Sequence, residues 1–451
     1  MKLDALPPWV GHLPTSWQAM PLRHLADAAN SNVDKKSHEG QQSVRLCNYT
    51  DVYYNEYIHD DMNLMEATAS PSEILRFDLR AGDVIITKDS ETWDDIAVPA
   101  CVLNDMPDVV CGYHLTMLRP RKSTVVGRFL LRCVQASGIR EQFWTAANGV
   151  TRFGLGQQGM RDALLPLPPL PTQRAIANFL DRKTAAIDRL IAAKERLIAL
   201  LAEKRQALIT RAVTRGLDPN VPLKDSGIPW LGKIPEHWEV KPLRRVICGL
   251  EQGWSPIAED RLREPGEWGV LKLSAVHNGS FRADEHKTLS ADTIPERRYE
   301  VKVGDLLVTR ANTPALVGDA CHVKDAPPKL MLCDLIYRVE VDEGLRKDYL
   351  ANFLISQVGR DQISAVARGT SQSMVKISQA LIKAWIVPIP HACEQEAISS
   401  YIEREKARSE KLELTIRDLI LKLREYRQTL ISAAVTGKID VRDDGGEAVA
   451  I

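Results

Sequence analysis

The chain has 451 residues, 44% hydrophobic and 26% charged, with 59 basic against 59 acidic side chains. That length exceeds one hydrophobic core and predicts two or three globular units with connectors. No apolar run approaches the roughly 18 residues of a membrane span, and residues 1–8 lack the apolar core of a signal peptide, so a cytoplasmic protein with no membrane partner is expected.

Taken in chain order, the sequence repeats itself. Pro8-Trp9-Val10-Gly11 and the following Pro14-Thr15-Ser16-Trp17 recur as Pro229-Trp230-Leu231-Gly232 and Pro235-Glu236-His237-Trp238. Gly82-Asp83-Val84-Ile85-Ile86-Thr87-Lys88 returns as Gly304-Asp305-Leu306-Leu307-Val308-Thr309-Arg310, and Pro166-Leu167-Pro168 as Pro388-Ile389-Pro390. Gln173-Arg174-Ala175-Ile176 matches Gln395-Glu396-Ala397-Ile398, and Arg205-Gln206-Ala207-Leu208-Ile209 matches Arg427-Gln428-Thr429-Leu430-Ile431. The order is kept at an offset near 221, so the chain is two copies of one module.

Each globular half, residues 1–171 and 217–393, reads as mixed α/β (α+β). The β-branched runs after Gly-Asp suit strands, as do Leu115–Leu118 and Ile336–Val341, whereas Tyr349–Val358 and the stretch before Trp144 suit helices. The Pro segments at 166–171 and 388–390 end each half. Residues 172–216 and 394–437 then read as long helices, with Gly216 and Gly437 as stops. Leu180, Ile187, Leu190, Leu197, Leu201 and Leu208 form one apolar seam; Ile402, Leu412, Ile416, Leu419, Leu423 and Leu430 form the other. Two matching seams of about 43 residues, each roughly 65 Å long, predict an antiparallel coiled coil with a domain at either end and a pseudo-twofold repeat. Residues 438–451 read as a disordered tail.

Catalytic signatures are missing. There is no phosphate-binding Gly-Lys loop, no Asp/Asn-Pro-Pro-aromatic base-flipping motif and no nucleophile elbow. Glu-x-Lys occurs at Glu239, Glu285 and Glu300, and Asp225 could complete a nuclease centre before the first, but Gln18-Ala19-Met20 stands in copy one where copy two has Glu239-Val240-Lys241. The eight cysteines form no C-x-x-C pair, so buried reduced thiols are expected rather than zinc or disulfides, and no catalytic or metal residue is assigned. Such a chain is expected to bind or organise rather than catalyse.

The segment Pro166–Asp181, the Gly227–Trp238 motif, Gly304–Arg310 and Gly369-Thr370-Ser371-Gln372 together resemble the specificity (S) subunits of type I restriction–modification systems, across nearly the whole chain. The resemblance implies two target recognition domains, each reading half of a bipartite site in double-stranded DNA. It implies paired helices that set the spacer and dock two methyltransferase (M) subunits, joined by restriction/translocase (R) subunits. No cofactor is implied in this chain; S-adenosylmethionine, ATP and Mg would belong to the partners. The alternative is a coiled-coil scaffold with two protein-binding domains and no DNA.

DNA-reading candidates follow from the polar loops and from the preference of Arg and Lys for guanine and of Asn and Gln for adenine. In copy two these are Arg310, Asn312, Thr313, Ser371, Gln372, Ser373 and Lys376; in copy one, Lys88, Ser90, Asn148, Thr151, Arg152 and Gln157. Trp9, Trp17, Trp230 and Trp238 read as core anchors. Domain one carries a net charge of −4 and the first long helix +6. A free-standing DNA binder usually has a basic excess, so weak DNA binding by the isolated chain is expected.

Overall fold

In the computed structural model, which describes residues 13–371, 374–441 and 449–450, the chain divides into two compact units. Unit 1 joins residues 1–194 to 417–451, and unit 2 is Glu195–Ile416. The division cuts both long helices, so each unit contains one domain, the first half of the helix that follows it and the last half of the other helix.

Unit 1 holds a five-stranded sheet in the order Ala26–Asn30, Leu115–Pro120, Val84–Thr87, Pro99–Val102, Tyr57–Ile58. A four-stranded sheet of Met65–Ala69, Gln42–Cys47, Met106–Cys111 and Asp78–Leu79 packs its apolar face, with Leu46, Phe77 and Val110, toward Ile85 and Met117 of the first. Unit 2 repeats the main sheet as Ile247–Gln252, Ile336–Val341, Leu306–Thr309 and Ala320–His322, and adds a second sheet built on Gly269–Leu271. The β-branched runs after Gly-Asp thus become fully buried central strands. Paired short helices, Gly127–Gln135 with Ser137–Thr145 and Lys347–Ile355 with Gln357–Val366, follow in each unit. The single helix expected over Tyr349–Val358 breaks at Ser356, whose hydroxyl accepts the Gly359 N–H and caps the second piece.

The long helices run Leu170–Arg215 and Ala392–Val435, each starting two residues before the sequence-based boundary. Within each unit their halves lie antiparallel. In unit 1 Arg427 Nε meets Asp188 at 2.9 Å; in unit 2 Ile209, Ala212 and Val213 pack with Ile398 and Ile402. The covered positions follow a 3.5-residue period: 180, 184, 187, 191, 194, 198, 201, 205 and 208, matched by 402, 406, 409, 413, 416, 420, 423, 427 and 430. Leu180, Ile187, Leu201, Leu208, Ile402, Ile416, Leu423 and Leu430 lie on this seam. Leu190, Leu197, Leu412 and Leu419 do not; each is more than a third exposed, because strict 3–4 alternation gives their places to Ile191, Ile198, Glu413 and Ile420. Gly216 and Gly437 both adopt φ +71° just beyond the helices, the conformation that ends them. After Gly437, Lys438 N–H bonds Ala433 O, Val441 is buried, and Ile439–Asp440 pairs with Val449–Ala450; residues 442–448 of the expected tail fall outside the described residues.

Candidate nucleic-acid interface

The Gly-Asp motif builds the platform. Gly82 and Gly304 turn at φ +93° and +90°, and the buried Asp side chains then hold that turn. Asp83 accepts Arg80 N–H at 3.0 Å and pairs with Arg119 at 2.9 Å; Asp305 accepts Lys302 N–H at 2.9 Å and pairs with Arg338 at 3.0 Å. The strand so fixed ends at Lys88 or Arg310, whose backbone is clamped on both sides. Lys88 N–H bonds His114 O and its carbonyl accepts Leu155 N–H; Arg310 N–H bonds Leu335 O and its carbonyl accepts Ile377 N–H.

Beyond that point each unit forms a three-stranded sheet that joins its two candidate loops. In unit 1 it is Asp89–Ser90, Phe153–Leu155 and Ala147–Asn148; in unit 2, Ala311–Asn312, Met374–Lys376 and Arg368–Ser371. Ser90 pairs with Phe153 and Asp89 with Gly154; Asn312 pairs with Val375 and Ala311 with Lys376. The two registers superpose residue for residue at an offset of 222.

The side chains on these backbones differ. In unit 1 Asp89 binds His114 Nδ1 at 2.8 Å and Arg152 at 2.6 Å, and Lys88 donates to Ser31 O while lying 4.7 Å from the Tyr113 ring centroid. Ser90 is buried and donates to Asp95, while Asn148, Thr151, Arg152 and Gln157 are exposed. Tyr53 donates to Asp95 at 2.8 Å, and chiefly this bond pushes its hydroxyl up to about 12. In unit 2 the register places Ala311 at Asp89 and Met374 at Arg152, and the shared carbonyl places Leu335 at His114. Arg310 is half-buried and Lys376 exposed, and among the described residues neither side chain has a hydrogen bond or ion pair. Asn312 Oδ1 accepts the N–H of exposed Thr313. Ser371 lies on the outer strand; Gln372 and Ser373 fall outside the described residues.

One repeated residue escaped the sequence reading. Arg140 donates to Asp94 O, and Arg360 donates to Val317 O and Ala315 O, so each clamps the loop that follows the first strand of its three-stranded sheet. Burial pulls both guanidinium pKa values down, since each donates only to carbonyl oxygens. The signal was present: the two arginines stand 220 residues apart. The clamped loops carry different tips, half-exposed Trp93 in unit 1 and Ala315 in unit 2.

No protein-family model matches the chain. Over 210 residues it is 30% identical to the EcoEI type I restriction enzyme specificity subunit of Escherichia coli, covering 46% of this chain and 35% of that one. It is 24% identical to the EcoKI specificity subunit of E. coli K12 over 73% of this chain and 68% of that one. It is 22% identical to the putative MjaX specificity subunit of Methanocaldococcus jannaschii over 96% of each. The chain is homologous to type I specificity subunits. The aligned stretch spans only about a third of the EcoEI subunit's length. Its fold matches a chain from a type I R-M system structure at TM-score 0.67 and 15% identity, over 94% of this chain and 98% of that one. The HsdS subunit of Thermoanaerobacter tengcongensis matches at TM-score 0.52 and 16% identity over the same shares.

In this relative of the specificity subunits the repeated helix motifs dock the domains. Gln173 and Gln395 are fully buried. Gln173 Oε1 accepts Val126 N–H while its amide donates to Thr124 O and Pro168 O; Gln395 does the same with Arg346 N–H, Gly344 O and Pro390 O. Gln428 donates to Gln135 O at 2.7 Å, and Gln206 to Ile355 O at 2.8 Å. Unit 1 adds a buried cation: Arg132 binds Glu56 at 2.6 Å and Asp181 at 2.7 Å, and Arg427 binds the same Glu56 at 2.8 Å. Burial alone would raise the Glu56 pKa, but the two guanidinium groups hold it below the usual carboxylate range. Unit 2 places its cation on the helix instead. Lys406, at the position of Thr184, donates to Ser280 Oγ at 2.8 Å and Gly279 O at 3.3 Å, and burial lowers its pKa. Trp238 is fully buried and donates to Glu394, Trp230 packs on the same core, and Trp17 is half-buried beside Gly437; Trp9 falls outside the described residues.

Proposed function

We propose that this chain is the DNA sequence-specificity subunit of a type I restriction–modification enzyme, each domain reading one half of a bipartite site. The observation that carries the reading is the pair of three-stranded sheets: one strand order, one register between the first two strands, a shifted outer strand, and two different sets of polar side chains. A protein that recognises two unlike half-sites with one architecture needs that combination. The chain supplies recognition and no chemistry. S-adenosylmethionine, ATP and Mg belong to partner subunits, two methyltransferases and the restriction/translocase subunits, in the cytoplasm. Leu190 and Leu419 in unit 1, and Leu197 and Leu412 in unit 2, apolar and off the seam, offer the helix halves of each unit apolar surface for methyltransferase docking. The helices set the spacer.

The test is selection of randomised duplexes by the chain assembled with methyltransferase subunits. Two defined blocks separated by a fixed number of unspecified bases are expected. No sequence selection would favour a protein-binding scaffold instead. Adding one turn to both helices should alter the spacer and leave the blocks unchanged. The domain charge of −4 argues that the isolated chain binds DNA weakly, its phosphate contacts completed by partners.

A further inference from the structure

The two reading sheets treat their cations oppositely, and this carries a statement about the second half-site. In unit 1 Arg152 is held by Asp89, and Lys88 is occupied by Ser31 O and the Tyr113 ring. In unit 2 the residues that would neutralise a cation are replaced: Ala311 stands at Asp89 and Leu335 at His114. Arg310 and Lys376 are left without an internal hydrogen bond or ion pair among the described residues.

Arg310 is also the better placed of the two for geometry-dependent reading. Its backbone is fixed by Leu335 O at 2.7 Å and by Ile377 N–H at 2.8 Å, at the end of a fully buried strand. The loop beyond Thr313 is pinned by Arg360. A guanidinium presented from a fixed backbone can make the bidentate fork to O6 and N7 of guanine, which needs orientation as well as charge. Lys376, exposed on the neighbouring strand, is a point charge suited to phosphate.

We infer that Arg310 is a specificity-determining residue that reads a guanine in the half-site of unit 2, while Lys376 contacts backbone phosphate; this rests on the DNA-reading function proposed above. The experiment is selection of randomised duplexes by the complete complex carrying the full chain, comparing wild type, Arg310→Gln, Arg310→Lys and Lys376→Ala. Wild type should select two blocks; if it selects none, the function itself fails. With that control in hand, Arg310→Gln should lose guanine preference at one position of one block by about 5- to 150-fold, gain adenine there and leave the other block unchanged. Arg310→Lys should keep guanine as the preferred base at that position but with a weaker preference than wild type, a point charge replacing the bidentate fork. Lys376→Ala should weaken all sequences alike and reduce the salt dependence by about one contact. Unchanged preference in Arg310→Gln, or uniform weakening with the guanine kept, overturns the assignment. Loss of all selection by both Arg310 variants overturns it too, since a base reader is not required for the other block.

Discussion

At its three-stranded sheet and where its domain meets the helix, unit 1 closes its charges on itself, whereas unit 2 leaves the corresponding cations without a carboxylate among the described residues. At the reading sheet the Asp89–His114–Arg152 cluster of unit 1 becomes Ala311, Leu335 and Met374 in unit 2. Where domain meets helix, Arg132 of unit 1 sits between Glu56 and Asp181, whereas Lys406 of unit 2 bonds only a hydroxyl and a carbonyl. The backbone bonds that clamp Lys88 and Arg310, the register of the first two strands and the buried glutamines are the same in both, and each unit has an arginine clamp, while the outer strand of the sheet shifts. The duplication therefore preserves what fixes geometry and varies what carries charge, so the two domains can face different sequences on one frame.

The largest test of this contrast is at the docking cations. Arg132→Met should destabilise the chain by up to about 3–5 kcal/mol, because it removes the buried partner of Glu56 and Asp181 and leaves them only Arg427 and Arg128. Lys406→Met removes a charge with no bonded carboxylate and should change stability by less than about 1.5 kcal/mol in either direction. Urea unfolding of both variants checks this; equal losses would show that the two cations do the same work. Next come the glutamines. Gln173→Leu and Gln395→Leu each leave a part-buried backbone N–H unpaired and should each cost about 1–3 kcal/mol. Here equality is expected, and a large difference would break the claim that the frame is symmetric.

Acid should also separate the units. Glu56 has a folded pKa below its ordinary value, so its contribution is present above the unfolded carboxylate pKa and is lost as pH falls through the folded one. Lys406 has the opposite sense: its lowered pKa penalises the charged folded form, and that penalty eases only as pH rises through the folded value. Lowering the pH should thus raise hydrogen exchange in Gly127–Gln135 before Lys347–Ile355. Simultaneous opening would contradict the role given to Glu56.

The repeat, the buried strands and the two long helices were legible because each leaves a pattern in apolar spacing or in turn residues. The phase of the helix seams was only half legible: Leu190 and Leu197 are as apolar as the residues that are covered, and strict 3.5-residue alternation chooses between them only once a partner is present. The docking groups were invisible for another reason. Gln173 and Arg132 look like surface residues, and only long-range contacts over 47 and 76 positions reveal them as buried. The candidate readers were found as two separate loops in each copy. That they join into one sheet depends on pairing between Asp89–Ser90 and Phe153–Leu155, a non-local register that no local signal specifies.

The smallest stability effect carries the sharpest functional contrast. Asp89→Ala gives unit 1 the side chain that unit 2 has at this position. Arg152 is more than half exposed, so losing its partner should cost only about 0–1 kcal/mol. The released guanidinium would then resemble that of Arg310, which has no hydrogen bond or ion pair among the described residues, and His114 would lose its carboxylate as well. Sequence selection by the assembled complex should show a new preference for guanine in the first block alone, with the second block unchanged. An unaltered first block would mean that Asp89 does not govern Arg152 at the DNA surface, and the charge contrast between the units would then concern folding rather than reading.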